Sequence, residues 1–294
     1  MGTMELVRRA IEMRVHGLVG FGSGEVDLDN PRGDPGLFGP RSACWQVHSD
    51  FTSMMVGGVA ALLLQMLHPL ALAGVWDHSD FRRDRTGRLR RTAQFVAATT
   101  YAGHAEAERL IARVRTIHDR VAGVLPDGTP YSANDPALLT WIHVAETTSF
   151  LAGYLAHRDP SFPAAEQDRY FDEVAMIAER LGATDVPRSR RAAAAYLEEM
   201  RPALRCDART RDVVRALLAP SSGRPGDRMM SKALGAAAVE LLPPWARAMH
   251  GFPAGGLARG PVRLGVGGVG TVLRWALSDG SAARARRRVA AQPA

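Results

Sequence analysis

Residues 107–123 read AERLIARVRTIHDRVAG, and their apolar side chains recur at helical spacing. Val114, Ile117 and Val121 are three or four positions apart, so we expect them to share one face of a helix. His118 should lie on the same buried face, four residues after Val114. A buried imidazole needs a hydrogen-bond partner or a ligand, because an unpaired polar group inside a protein is costly. The helical pattern alone leaves open whether His118 bonds a neighbouring carbonyl group or a ligand.

Helical patterns of this kind recur along the chain, whereas the alternation that indicates β-strands is almost absent. The residue before a proline is pushed out of helical geometry, so one apolar helix should end at His68 and another should begin at Pro69. Asn134 or Asp135 can cap a long helix that begins at Pro136. The expected helices cover approximately residues 50–67, 69–76, 92–96, 107–121, 136–154, 163–181, 188–201, 207–218 and 232–249. These patterns predict an all-α fold.

The chain of 294 residues is long enough for one large helical domain, in which composition marks four segments. We expect an N-terminal helix with an irregular lead-in over residues 1–40 and a helical core over residues 41–220. A C-terminal helical extension should cover residues 221–280, and a basic disordered tail should cover residues 281–294. Residues 125–135 are rich in Pro, Gly, Asn and Asp and predict a turn.

The charge of the chain comes almost wholly from arginine. The formal net charge is +7, and Lys232 is the sole lysine among 37 basic residues. The arginines are spread over many expected helix faces, and no helix-turn-helix or zinc-finger spacing accompanies them. Nucleic-acid binding is therefore not expected.

Cysteine usage and hydropathy indicate the compartment. Cys44 and Cys206 are far apart in sequence and match no metal-binding pattern, and two free thiols are typical of a reducing cytoplasm. The most apolar stretch, residues 54–67, is too short to cross a membrane and contains Gln65. We expect a cytoplasmic protein without a transmembrane segment.

The motifs exclude several common kinds of catalytic site. The sequence contains neither the HExxH motif of metalloproteases nor the GxSxG motif of serine hydrolases. A single HxxE, from His143 to Glu146, has no second copy, which argues against a carboxylate-bridged di-iron site. A helical apolar interior with histidines and arginines suits a haem, because imidazole can hold iron and arginine can face propionates or bound oxygen.

Candidate site residues besides His118 lie on or beside the expected helices. They are polar residues at helix ends or on one shared helix face: His68, Arg88, Arg91, Thr92, Thr140 and His143. Arg88, Arg91 and Thr92 are spaced at i, i+3 and i+4, so their side chains should project from one face. His143 should also point inward, one turn after Thr140, and is the alternative iron ligand.

Three stretches in order along the chain carry a family resemblance: residues 62–92, LLLQMLHPLALAGVWDHSDFRRDRTGRLRRT; residues 114–123, VRTIHDRVAG; and residues 131–154, YSANDPALLTWIHVAETTSFLAGY. They closely resemble the oxygenase superfamily of the fungal enzyme MpaB and the bacterial rubber oxygenase (latex clearing protein). The resemblance covers roughly residues 40–220, and a later LLPPWAR segment is also similar. These motifs are specific for the superfamily, but they do not identify the substrate.

The resemblance implies a globin-like helical fold that binds one b-type haem. Rubber oxygenases carry the iron on a histidine in a VRxxH context, which His118 matches. Their distal Arg-x-x-Lys-Thr motif matches Arg88, Arg91 and Thr92, with arginine in place of the lysine that can contact iron in a closed state. Arginine stays protonated and is a poor iron ligand. Their distal glutamate has no counterpart near Leu72, and His68 is the nearest polar candidate.

The resulting hypothesis is a haem-dependent oxygenase that uses dioxygen. We expect His118 to hold the iron of haem b, and His68 or Arg88 to polarise dioxygen. A small apolar organic substrate, isoprenoid-like as in the relatives, should bind beside Thr140. The alternatives are a non-catalytic haem sensor or carrier and a metal-free helical binding protein. A second copy of the chain, forming a homodimer, is the expected protein partner.

Overall fold

The computed structural model describes residues 26–79, 81, 83–220, 223, 225–253, 259–277 and 279–291, together with six single positions between residues 4 and 13. The helices are α1 Ala43–His48, α2 Phe51–Gln65, α3 Pro69–His78, α4 Arg85–Tyr101, α5 His104–His118, α6 Pro136–His157, α7 Ala164–Leu181, α8 Arg190–Met200, α9 Ala208–Leu218, α10 Pro225–Leu241, α11 Pro244–Met249, α12 Arg259–Ala276 and α13 Ser281–Ala290. The expected N-terminal helix lies almost wholly outside the described residues.

The all-α class predicted from the sequence is confirmed. Helices dominate the described residues, and the sheet found among them has only two strands, β1 Ala122–Val124 and β2 Pro130–Ser132. The globin-like arrangement of the helices stays a prediction.

The centre of the fold is the close packing of α2 against α6. Two glycines make this approach possible. A Cβ atom on Gly153 would lie 2.6 Å from the carbonyl oxygen of Ser53, and one on Gly57 would lie 2.8 Å from that of Ser149. Around this pair, α10 and α12 pack on α2, while α7 and α8 pack on α6. The largest core cluster buries Trp141 completely between these layers.

Local signals explain where the main helices begin. Asp50 and Asp135 accept hydrogen bonds from the backbone N–H groups of Ser53 and Leu138, at 2.9 Å and 2.8 Å, and thereby cap α2 and α6. Pro136 occupies the first turn of α6, where its missing N–H group has no helical partner to lose. The helix starts expected from these residues agree with the structure.

The turn expected at residues 125–135 is the end of a short hairpin. β1 and β2 are antiparallel, with Gly123 opposite Tyr131. The Tyr131 hydroxyl donates to Asp77 Oδ2 at 2.7 Å and lies 3.2 Å from His78 Nε2, so it fastens the hairpin to α3. Three-residue strands are too short to show an alternating pattern, which is why sequence periodicity did not indicate them.

The expectation of a disordered tail over residues 281–294 is wrong for the described part. The segment Ser281–Ala290 is helical, and Arg288 is only 2% exposed. Its guanidinium donates to the carbonyl oxygens of Leu28, Asp34 and Tyr101, at 2.9, 2.9 and 2.6 Å. These three tertiary hydrogen bonds order a segment whose charge suggested a solvated chain. Upstream, α10 begins at Pro225 rather than near residue 232, and GVGGVG lies within α12.

In the described part of the chain, no single helix is both long and apolar enough to cross a membrane. Helices α2 and α3 pass that test only when taken together, and they are bent by 105° at His68-Pro69.

Candidate functional site

Helix α4 presents Arg88 and Thr92 to a small apolar cavity. The cavity has a volume of about 30 Å³, room for one or two water molecules. Its walls come from α2, α3, α4 and α9 and include Leu62, Val75 and Leu217. Thr92 is otherwise exposed, so it lies at the outer edge. The shared face predicted for Arg88 and Thr92 therefore brings both to one space.

Within the described part of the chain, Arg88 has no counterion. Among the described residues, no opposite charge and no hydrogen bond contributes to the pKa of Arg88. Burial and then the charge of Arg91 lower the pKa of Arg88. An anion entering the cavity would meet an unpaired guanidinium.

Arg91 has different surroundings from Arg88. Its side chain is exposed and forms an ion pair with Asp84 at 3.5 Å. Arg91 is thus engaged with the start of its own helix rather than with the cavity.

His68 joins α2 to α3. Its Nδ1 accepts a hydrogen bond from the backbone N–H of Leu70 at 3.3 Å and caps α3. The ring lies 5.8 Å from the ring of Trp141, centroid to centroid. Burial lowers the pKa of His68 to about 4, against a small opposing effect of Asp135. The ring is therefore neutral, with its proton on Nε2.

His118 is the last residue of α5, and its ring is partly buried. The Nδ1 atom is buried and has no hydrogen-bond partner among the described residues. Burial lowers the pKa of His118, against an opposing effect of Asp119, so the ring is neutral at pH 7. A neutral imidazole with an unpaired nitrogen is chemically able to accept a ligand or bind a metal.

The expectation that Ile117 shares the buried face with His118 is wrong. Ile117 is 51% exposed, whereas Ile111 is 3% exposed. At 100° per residue, His118 lies only about 20° around the helix from Ile111, while Ile117 lies about 120° away. The buried stripe of α5 is narrower than the sequence pattern suggested, and His118 remains on it.

His143 lies in the middle of α6 and is 8% exposed. Its Nε2 is buried without a hydrogen-bond partner among the described residues, and burial lowers its pKa to about 4. Thr140 lies one turn earlier, and its hydroxyl group bonds backbone carbonyl groups. That hydroxyl lies 3.0 Å from the carbonyl oxygen of Pro136 and 2.7 Å from that of Thr184.

A buried polar cluster includes two residues that sequence reasoning missed, His48 and Tyr170. His48 Nε2 lies 2.9 Å from the Tyr170 hydroxyl, and its Nδ1 lies 2.9 Å from the Thr100 hydroxyl. Burial, and to a smaller extent the charges of Cys44 and Glu146, raise the pKa of Tyr170 well above its usual value. His48 lies on a six-residue helix without periodicity, and its partners are distant in sequence. Only the lone HxxE motif pointed to this region.

The structure brings together some of the predicted site residues and not others. Arg88 and Thr92 line one cavity, and His68 contacts Trp141 of α6. Within the described ranges, no hydrogen bond or ion pair joins these residues to His118 or His143, and no three His, Cys, Asp or Glu side chains converge on a point that could hold a metal ion.

Residues 45–275 match the family described as "ER-bound oxygenase mpaB/B'/Rubber oxygenase, catalytic domain". No curated protein and no solved structure matches the chain. The matched range runs from α1 to the end of α12 and contains every candidate site residue described above. Since the match covers most of its length, the chain belongs to the MpaB and rubber oxygenase catalytic-domain family.

Proposed function

We propose that this oxygenase depends on a b-type haem, that His118 is the iron ligand, and that the substrate is a small apolar organic molecule. The observation that carries the proposal is the unpaired, neutral ring of His118 at the end of α5. An imidazole can bind iron only when a ring nitrogen is free of a proton and of another partner. His118 meets this condition within a family of oxygenases.

The donor chemistry of Arg88 also fits a haem. A partly buried guanidinium without a counterion would gain a charge-assisted hydrogen bond from a carboxylate such as a propionate, or from a reduced oxygen species. The cavity at Arg88 has room only for molecules of about the size of water, so dioxygen fits there better than a substrate. When bound, a haem would supply the electron-transfer chemistry that activates dioxygen.

The chain's own residues would bind and position the reactants. The apolar side chains around the cavity at Arg88, including Leu62 and Leu217, would favour dioxygen at that position, because dioxygen is itself apolar. His68, neutral and with its proton on Nε2, has one N–H donor to offer to a polar group near Trp141. His143 is the second candidate for the iron, because its Nε2 is also unpaired.

The proposed function is tested by the absorption spectrum of the purified full chain after expression with added haem precursor. We expect a Soret band, and after reduction a shift on addition of carbon monoxide, which binds only at an open iron position. A protein that takes up no haem would contradict the proposal. A haem protein whose spectrum does not respond to carbon monoxide, dioxygen or peroxide would be a sensor or carrier instead.

Arg88 makes a second test possible. We expect Arg88→Gln to raise the free energy of unfolding of the haem-free protein by about 1 kcal/mol, because a partly buried charge without a described counterion is removed. The same change should weaken haem binding by about tenfold, since one charge-assisted hydrogen bond is lost. Denaturant unfolding and haem titration measure the two effects. The exposed Arg113 provides the control, because Arg113→Gln should change neither. A loss of stability in Arg88→Gln would mean that Arg88 has a protein partner.

A further inference from the structure

Cys206 and His250 form a pair of side chains outside the candidate site described above. The sulfur atom of Cys206 lies 3.9 Å from His250 Nδ1, within hydrogen-bond reach of a thiol. Cys206 comes two residues before α9, and His250 directly follows α11. Both residues are only half-buried, so a small reactant can reach them from solvent. A nucleophilic side chain therefore lies beside a base at an accessible position.

The end of α2 fixes which nitrogen of His250 carries the proton. The Leu67 N–H group bonds the carbonyl oxygen of Leu64 at 3.2 Å, so the carbonyl group of Leu63 is left without its usual helical partner. His250 Nε2 lies 2.9 Å from the Leu63 oxygen and can bond it only by donating a proton. Burial lowers the pKa of His250, against the opposing effect of this bond, so the ring is neutral. Its Nδ1 then has only a lone pair to offer, and the Cys206 thiol donates to it.

A cation lies close to the sulfur atom as well. Arg211, in the first turns of α9, donates to the backbone carbonyl oxygen of Cys206 at 3.2 Å. Burial raises the pKa of the Cys206 thiol and the charge of Asp207 adds to this effect, whereas Arg211 opposes both. The resting group is therefore a thiol, and it becomes a nucleophile when His250 takes its proton. The guanidinium of Arg211 would then stabilise the negative charge on sulfur.

The other cysteine, Cys44, also lies beside a histidine but has the opposite arrangement. Its sulfur atom is 3.7 Å from His48 Nδ1. That nitrogen carries a proton, because Thr100 donates its own hydroxyl proton to the Val96 carbonyl oxygen at 2.7 Å and accepts from His48 at 2.9 Å. Burial and the charge of Glu173 raise the pKa of the Cys44 thiol well above its usual value. This thiol has no base beside it, and its burial keeps reactants away.

We propose that Cys206 is a site of oxidation by hydroperoxides, and that His250 is the base that activates it. Nδ1 of His250 takes the thiol proton, and a sulfur electron pair attacks the terminal oxygen of the hydroperoxide. A sulfur–oxygen bond forms as the oxygen–oxygen bond breaks, so sulfur is oxidised to a sulfenic acid and the peroxide is reduced. The leaving oxygen takes the proton from His250 and departs as an alcohol or water. Such a reactant fits an oxygenase, because two-electron reduction of dioxygen yields peroxide.

The first test locates the modified thiol. The purified full chain is treated with hydrogen peroxide and dimedone, which traps sulfenic acids, and the adducts are mapped by peptide mass spectrometry. We expect Cys206 to be labelled about tenfold faster than Cys44. In urea, iodoacetamide should label both cysteines, which shows that both peptides are detected. Equal labelling of the two thiols in the folded chain, or no adduct on Cys206, would overturn the proposal. The result does not depend on haem, since the pair lies outside the proposed haem site.

The second test measures the role of the base. In His250→Gln the amide can still donate to the Leu63 oxygen, but no base faces the sulfur atom, so we expect adduct formation on Cys206 to slow by about tenfold. The exposed Arg211→Gln should slow it by about threefold, because a stabilising charge is lost. Arg215→Gln, one turn further along α9, should leave the rate unchanged, since Arg215 pairs with Asp212.

Unfolding of the variants is separated from loss of the base by circular dichroism and by the rate in urea. With the helical signal retained, the Cys206 rates of wild type and variants should differ in buffer and agree in urea, where the pair is dispersed. Arg211→Gln keeps the test decisive if His250→Gln does not fold, because the Arg211 side chain is exposed. An unchanged rate in a folded His250→Gln or in Arg211→Gln would refute the activation of Cys206 by this cluster.

Discussion

Replacing His118 with alanine is expected to abolish the Soret band of the haem-loaded protein while the helical circular dichroism is retained. An iron ligand contributes a coordination bond that no neighbouring side chain of the described structure replaces, so uptake of haem should fall below detection. The fold should survive, because His118 is the last residue of α5 and its ring is only partly buried. The absorption spectrum and the circular dichroism of the same sample measure the two effects.

His143→Ala is the matched control, since it also removes a histidine ring with an unpaired buried nitrogen. We expect this variant to keep the Soret band. A His118→Gly variant should regain the band when free imidazole is added, because the small ligand can fill the space left by the side chain. The opposite pattern, with the band lost in His143→Ala and kept in His118→Ala, would assign the iron to α6.

Gly153→Ala is expected to lower the free energy of unfolding by about 2–3 kcal/mol, a large effect for one methyl group. A Cβ atom at this position would lie 2.6 Å from the carbonyl oxygen of Ser53, closer than real contacts allow. The oxygen belongs to the backbone of α2, and the Cβ atom would be attached directly to the backbone of α6. Neither atom can therefore rotate away from the other. The two central helices would have to move apart, and packing between them would be lost. Urea unfolding followed by circular dichroism gives the free energy.

Gly58→Ala separates this clash from the general effect of alanine in a helix. Gly58 lies in α2 next to Gly57, but its Cβ would meet only Phe150 Cε1 at 3.7 Å, an ordinary contact. We expect Gly58→Ala to be neutral or to stabilise the protein by up to about 1 kcal/mol, because alanine favours the helix. Equal stability of the Gly153 and Gly58 variants would show that α2 and α6 do not approach as closely as described.

Much of the fold was predictable because its signals act over one helical turn. Pro69 and Pro136 begin helices, and Asp135 caps α6 through an N–H group three residues away. The position of His118 on the inner face of α5 follows from its spacing to Ile111. The exposure of Ile117 could not be predicted from the spacing, since the width of the buried face of a helix depends on how many other helices cover it.

The candidate site was only partly predictable, because sequence signals act over one helical turn and many contacts of the site do not. The spacing of Arg88 and Thr92 predicted a shared face, and both line one cavity. The missing counterion of Arg88 could not be read from a sequence in which acidic residues are plentiful, because pairing depends on which of them come near. The helix at Ser281–Ala290 also depends on distant carbonyl groups, which accept from Arg288 across the fold.

The sequence by itself determined the all-α class, the starts of most helices and the oxygenase family, because periodicity, caps, prolines and ordered motifs are local features. The tertiary structure alone decided the polar cluster around His48. His48 meets Thr100 and Tyr170 across 52 and 122 residues of chain. The protonation of a buried histidine depends on desolvation and on its hydrogen-bond partners, and both arise only when such distant segments pack together.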